Sequence, residues 1–219
     1  MNFLSHYYID RSHASPTFAV GALLPDLFAG FTKIYNRKVK NLAVPIADTT
    51  VADLHQGVLR HYQADCVFHG HPDFLRCCNL LRDALLRNGL DRSEYRISFL
   101  AHIGVELLLD CHIVNQHSEL LEAYYTHINN FEEQQLLPYF ALLDEDAAGQ
   151  LFFPTFRLFK QAQFLLHLKT IEGVAEGLSR TNEKVTGKAL EGNNRKIILS
   201  SLYNIQQDIR YSSQTLLAI

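Results

Sequence analysis

Apolar positions recur along this chain at spacings of three and four, and strict alternation is nearly absent, so the pattern predicts helices throughout and no sheet. Ser15-Pro16 reads as an N-cap followed by proline at the first helical position, opening a short helix that Pro25 ends or kinks. Residues 31–48, with Pro45 near their end, read as a connecting segment around a short helix. Thr49 or Thr50 caps the next helix, which Gly70-His71-Pro72 closes. Asp73 to Asn88 is amphipathic with Gly89 just past its end, and Asp91 or Ser93 caps the helix that follows. Further helices are predicted over 118–128 and 131–143, the second kinked at Pro138. An extended helix over 155–183 is weakened by Gly173 and Gly177, and a loop near 187–194 precedes a last helix over 195–215. The fold class is all-α, a single domain over residues 1–219 with no internal repeat.

Two stretches depart from the ordinary amphipathic pattern. In G-V-L-R-H-Y-Q-A-D-C-V-F-H-G-H-P, Gly57 to Pro72, the residues His61, Asp65 and His69 fall within roughly 80° of one another on a helix turning about 100° per residue. In I-S-F-L-A-H-I-G-V-E-L-L-L-D-C-H-I-V, His102, Glu106 and Asp110 repeat the four-residue spacing inside a segment that is apolar on nearly every side. A helix apolar all round is normally buried, and a carboxylate on it carries a large desolvation cost unless a cation or donor faces it. On a solvated helix such a spacing makes only a modest ion pair. The apolar embedding favours metal for His61, Asp65, His102 and Glu106, joined by His69, while Asp110 and His112 read as the exposed end of their helix. Imidazole with carboxylate suits Zn, Mn or Fe, as one or two divalent ions.

Composition narrows the function classes. The 219 residues are 47% hydrophobic and 20% charged, with a net charge of -3, which argues against a nucleic-acid partner. Cys66, Cys77, Cys78 and Cys111 have no C-x-x-C spacing and no disulfide framework, and they read as reduced residues of helices in a cytoplasmic protein. The start M-N-F-L-S-H-Y-Y-I-D lacks a basic lead for a signal peptide, and no apolar run is taken to approach a membrane span. Lys33, Arg37, Lys38 and Lys40 can attract a phosphate or an acidic carrier, although plain solvated surface is the commoner meaning of such a cluster. The Phe- and Leu-rich region 151–168 can bury itself in its own core or against a second subunit, which leaves the oligomeric state open, a homodimer included.

The opening M-N-F-L-S-H-Y-Y-I, the segment G-A-L-L-P-D-L-F-A-G at Gly21 to Gly30, and the Gly57 to Pro72 stretch together resemble the acyl-carrier-protein phosphodiesterase family in order and spacing. The resemblance covers about the first half of the chain. It implies an HD-domain-like helical bundle that hydrolyses a phosphodiester, such as the phosphopantetheine link on acyl carrier protein in fatty acid biosynthesis. It also implies that His6, Asp26, His61 and Asp65 take the places of the family's metal-site and catalytic residues. Taken alone, His6 reads as a residue near a terminus and Asp26 as a helix cap. The chain departs from the family pattern at Ala22, at Tyr62, at Phe68-His69 and at Glu106 to Leu109, with His102 where an Asp is usual. The pattern describes a divergent member with a metal site and a different substrate.

A hydrolase of this kind holds its ions with His6, Asp26, His61, Asp65, His69, His102 and Glu106. Asp26 is the candidate general base, and His71 the candidate proton donor to the leaving alkoxide. Two other classes stay open. One is a di-iron oxygenase on an HD-like scaffold, although the Glu-x-x-His pairs of ferritin-like bundles are missing. The other is a non-catalytic helical binding protein with an eroded metal site.

Overall fold

The computed structural model describes every residue except His13, Ala29, residues 43–47 and Ile219. Among the described residues there is no strand, and the chain is all-α. Its helices are α1 (Phe3–Asp10), α2 (Pro16–Leu27), α3 (Phe31–Arg37), α4 (Thr49–Gly70), α5 (Pro72–Arg87), α6 (Ile97–Gln116), α7 (Ser118–Asn130), α8 (Leu137–Leu142), α9 (Asp146–Ala162), α10 (Ile171–Thr186) and α11 (Gly192–Leu216), with short 3-10 turns between some of them. Pro45, placed by its sequence in a connecting segment, lies outside the described residues.

The chain divides into two compact units, each built from separated segments. The first comprises Met1–Ser5, Val67–Ser118 and Leu165–Ile219. Its core is α6 packed against α5, α10 and α11, with α11 also touching α5 and α10. Gly104 lies where these helices converge. A Cβ there would come 2.7 Å from Leu81 Cδ2 and within ordinary contact of Leu178 and Leu202, so the absent side chain lets three leucines close over α6.

Enclosure accounts for the composition of α6, and here one expectation is corrected. This helix is long and apolar enough to cross a membrane by length and hydropathy, yet 72% of its apolar window is buried inside the protein. A second correction concerns Asp110, which is fully buried rather than at an exposed helix end. Its carboxylate accepts hydrogen bonds from the Ser5 amide (2.8 Å), the Ser5 hydroxyl (2.5 Å) and the Leu4 amide (3.3 Å), capping the first turn of α1.

The second unit comprises His6–Cys66 and Glu119–Phe164. Its core is aromatic: Phe28, Phe31, Phe140 and Phe152 meet edge to face or tilted at centroid separations of 5.9 to 6.4 Å, favoured geometries for ring quadrupoles. The phenylalanines of α9 at 152, 153, 156 and 159 are buried, while Leu151 and Leu158 are exposed. Helices α2 and α4 cross at backbone contact. A Cβ on Gly21 would lie 2.2 Å from the Leu54 carbonyl oxygen, and one on Gly57 would lie 2.3 Å from that of Phe18. Only glycine permits this crossing at either position.

Several predicted boundaries shift for local reasons. Ser15 caps α2 as its sequence suggests, accepting from the Phe18 amide at 3.0 Å. For α4 the cap is Asp48 rather than Thr49 or Thr50, its carboxylate accepting from the Val51 amide at 3.1 Å. Asp91 and Ser93 form a turn instead of a cap, with the Ser93 amide bonded to Asp91 at 2.7 Å, and α6 opens at Ile97. Pro138 sits in the first turn of α8, where its missing amide costs nothing, so it starts a helix rather than kinking one. The extended helix over 155–183 is instead two: Gln163 turns left-handed at φ 41° to end α9, and Thr170 caps α10 by accepting from the Gly173 amide at 3.1 Å.

Candidate metal centre

In the second unit, α1 carries His6, and α4 carries His61 and Asp65 one turn apart. Their ligand atoms all lie within 4.8 Å of one another. His6 Nε2 stands 3.2 Å from Asp65 Oδ1, and His61 Nε2 stands 3.5 Å from Asp65 Oδ2. Asp26, near the end of α2, brings Oδ1 to 3.8 Å from the same His61 nitrogen. The two imidazoles are stacked at 4.0 Å with 21° between their planes. Both histidines are buried, at 4% and 2% exposure, while Asp65 and Asp26 keep 23% and 29% of their side chains open to solvent.

The crossing of α2 and α4 fixes the histidine tautomer. His61 follows Gly57 by one turn, and its Nδ1 lies 2.9 Å from the Ala22 carbonyl oxygen, which can only accept. Nδ1 therefore carries the proton, and in the neutral ring Nε2 offers a lone pair. That lone pair faces two carboxylates. Burial, with the neighbouring His6 adding to it, lowers the His61 pKa to about 3 despite the attraction of Asp65, so the ring is neutral at ordinary pH. Burial pushes the Asp65 carboxyl up, but the His6 hydrogen bond and the nearby positive charges prevail and hold it well below its usual range. A neutral imidazole and an ionised carboxylate are the forms in which these groups bind metal.

The first unit holds a second triad. His69 Nε2 and His102 Nε2 lie 3.0 and 3.1 Å from the same oxygen, Glu106 Oε1, and the α-amino nitrogen of Met1 lies 3.3 Å from it. Burial alone would raise the Glu106 pKa, yet the amino group and the two imidazoles keep it well below the usual value.

The sequence pairs His61 and Asp65 with His102 and Glu106. Within the second unit His6 stands beside one pair, and within the first unit His69 stands beside the other. Asp110 belongs to neither triad and caps α1. His71, the candidate proton donor, caps α5, its Nδ1 accepting from the Asp73 amide at 3.2 Å. Of the basic cluster, Arg37 pairs with Glu145 at 3.1 Å, and Lys38 lies 3.7 and 3.5 Å from Asp144 and Glu145. Tyr62 stacks on Tyr35 at 3.6 Å and bonds Thr32, and burial pushes its phenol up to about 12, so it faces the site neutral.

Sequence reasoning missed the Ala22 carbonyl, because a backbone acceptor has no residue-type signal. Two glycines inside predicted helices, Gly21 and Gly57, were the available clue that the backbones meet there. In comparisons with known proteins, no family model, curated protein or solved structure matches the chain.

Proposed function

We propose that the chain is a metal-dependent phosphohydrolase of HD-like helical type, with its ion held by His6, His61 and Asp65 and with Asp26 at the rim. One observation carries this reading. His61 is committed through Nδ1 to a backbone carbonyl, and its Nε2 lone pair confronts two carboxylate oxygens at 3.5 and 3.8 Å. Lone pair against carboxylate is repulsive, and a cation standing between them relieves it. Four ligands about 2.0–2.1 Å from a zinc ion stand about 3.3 Å apart in a tetrahedron, close to the separations seen here. The set of two histidines and one carboxylate is also that of hydrolytic zinc enzymes.

The resemblance to acyl-carrier-protein phosphodiesterases supports the reaction class, since His6, Asp26, His61 and Asp65 are the residues it marks and the residues that meet. Held by His6, His61 and Asp65, a divalent ion would supply a water of lowered pKa and polarise a phosphoryl oxygen. Asp26, partly solvated, accepts the proton of the attacking water. Tyr62, in place of the family's arginine, offers a neutral phenol, which fits a substrate different from the family's carrier-bound phosphodiester.

Metal analysis of the purified chain, followed by turnover of bis-p-nitrophenyl phosphate with Mn, Zn or Fe restored, tests the proposal. Stoichiometric metal and turnover that His61→Ala abolishes are expected. Metal-independent turnover, or none with any ion, contradicts it. Two histidines and a carboxylate are also the ligands of non-haem iron oxygenases, and this donor set is the specific observation for a second reading of oxygen chemistry. Tightly bound iron with visible absorption, and no phosphoesterase activity, would favour it.

A further inference from the structure

We propose that His69, His102 and Glu106 bind a divalent ion of their own, a second metal site of the zinc, iron or cobalt class carried wholly by the first unit. The ligands come from two helices: His69 from the last turn of α4, His102 and Glu106 from successive turns of α6. Both Nε2 atoms and Glu106 Oε1 lie within 4.8 Å of one another, with nitrogen to oxygen distances of 3.0 and 3.1 Å. Those edges are a few tenths of an ångström short of the roughly 3.3 Å tetrahedral edge around zinc, so small side-chain rotations admit an ion.

The surroundings hold the ligands in place. Phe74, itself buried, meets the His69 ring at 5.3 Å and the His102 ring at 5.1 Å, and Phe68 meets His69 at 5.5 Å. The two imidazoles are thereby braced side by side, with centroids 4.9 Å apart. Glu106 sits among Val105, Leu107, Leu108 and Leu109, all buried, where a carboxylate needs strong positive compensation; the Met1 amino group, 3.3 Å from Oε1 and 3.4 Å from His69 Nε2, supplies it in the metal-free chain and gives way to the ion. His102 and His69 keep 40% and 35% of their side chains exposed, which gives an ion a way in from solvent. Two imidazoles to one carboxylate select borderline metals over magnesium or calcium, which prefer all-oxygen sites.

The test is cobalt(II) titration of the metal-stripped full chain, followed by visible absorption and by elemental analysis after desalting. Wild type, His61→Ala, His102→Ala and Glu106→Gln are compared, with circular dichroism confirming the helical fold of each. Wild type binding two equivalents, and His102→Ala and Glu106→Gln each binding one, is the expected result. One equivalent lost in His102→Ala but retained in His61→Ala also supports this site, and it counts against the other centre instead. One equivalent lost in His61→Ala and untouched by His102→Ala overturns the proposal, as does no binding at all. In those cases the imidazoles and the amino group serve only as hydrogen-bond partners of Glu106.

Discussion

The triad of His6, His61 and Asp65 and the triad of His69, His102 and Glu106 present the same kinds of donor atom, yet the first has two buried, stacked rings, one of them held by a backbone carbonyl, and the second stands half open on an aromatic brace. In the first, the carboxylate is the more exposed member and the histidines are enclosed. In the second, the carboxylate is enclosed and the histidines reach solvent. Enclosure of the imidazoles removes water as a competing partner and freezes the tautomer, which suits a tightly held ion. Enclosure of the carboxylate concentrates negative charge that any cation can neutralise, which suits an exchangeable one. Identical ligand chemistry therefore need not give identical affinity.

The sharpest way to break this contrast is at Asp26, whose Oδ1 lies 3.8 Å from His61 Nε2 at the rim of the first triad. Asp26→Asn is expected to lower phosphodiester turnover by about 10²-fold or more, the scale of a lost general base, with metal content preserved. Unchanged turnover would remove Asp26 from the chemistry.

The next effect is at the helix crossing. Gly57→Ala puts a methyl group where the Phe18 carbonyl lies 2.3 Å away, forcing α2 off α4 and breaking the bond that His61 Nδ1 donates to the Ala22 carbonyl. Metal affinity at the first triad should fall roughly 10- to 100-fold, the usual consequence of losing a ligand's orienting partner. Affinity at the second triad should stay as it was. Calorimetric titration of wild type and variant would read both.

A pH series separates the triads by protonation. The unfolded chain takes up a proton on His61 near the ordinary value of 6.5, whereas the folded chain resists protonation down to about 3. The contribution of His61 to the stability of the metal-free protein should therefore fall as pH drops from about 6.5 towards 3, while Asp110, whose carboxyl burial pushes up to about 7, works in the opposite direction. Asp65, held below its usual range in the fold, pulls in the same direction as His61 at the acid end. Going from pH 7 to pH 5, the urea midpoint of wild type should drop relative to that of His61→Gln. An equal difference in both would mean that His61 titrates normally.

The smallest effect is at His71. If it only caps α5, His71→Asn keeps the cap and changes neither stability nor turnover, while His71→Ala costs about 1 kcal/mol of stability and leaves turnover alone. A selective loss of turnover in both would restore it as a proton donor.

How much of this could be read beforehand depended on range. The rows His61/Asp65 and His102/Glu106 are local patterns on single helices, so spacing alone revealed them, as the apolar run around Glu106 revealed its burial. His6 and Asp26 lie far away in sequence without any periodic signal, and only the resemblance to a known family marked them. Sequence spacing carries no signal for a third member of either row, and His6 and His69 come within reach of theirs only in the fold. Asp110 looked like a helix end because the run stops soon after it, whereas its partners, Leu4 and Ser5, lie more than a hundred residues earlier. The break at Gln163 depends on a single left-handed residue that is not glycine, which no propensity would favour.

Crystals grown with zinc, measured on both sides of the zinc absorption edge, test the central claim most directly. An anomalous peak about 2.0–2.2 Å from His6 Nε2, His61 Nε2 and an Asp65 carboxylate oxygen is the result predicted. Density placing His61 Nε2 within hydrogen-bond distance of Asp65, with no anomalous signal between them at saturating zinc, would contradict it.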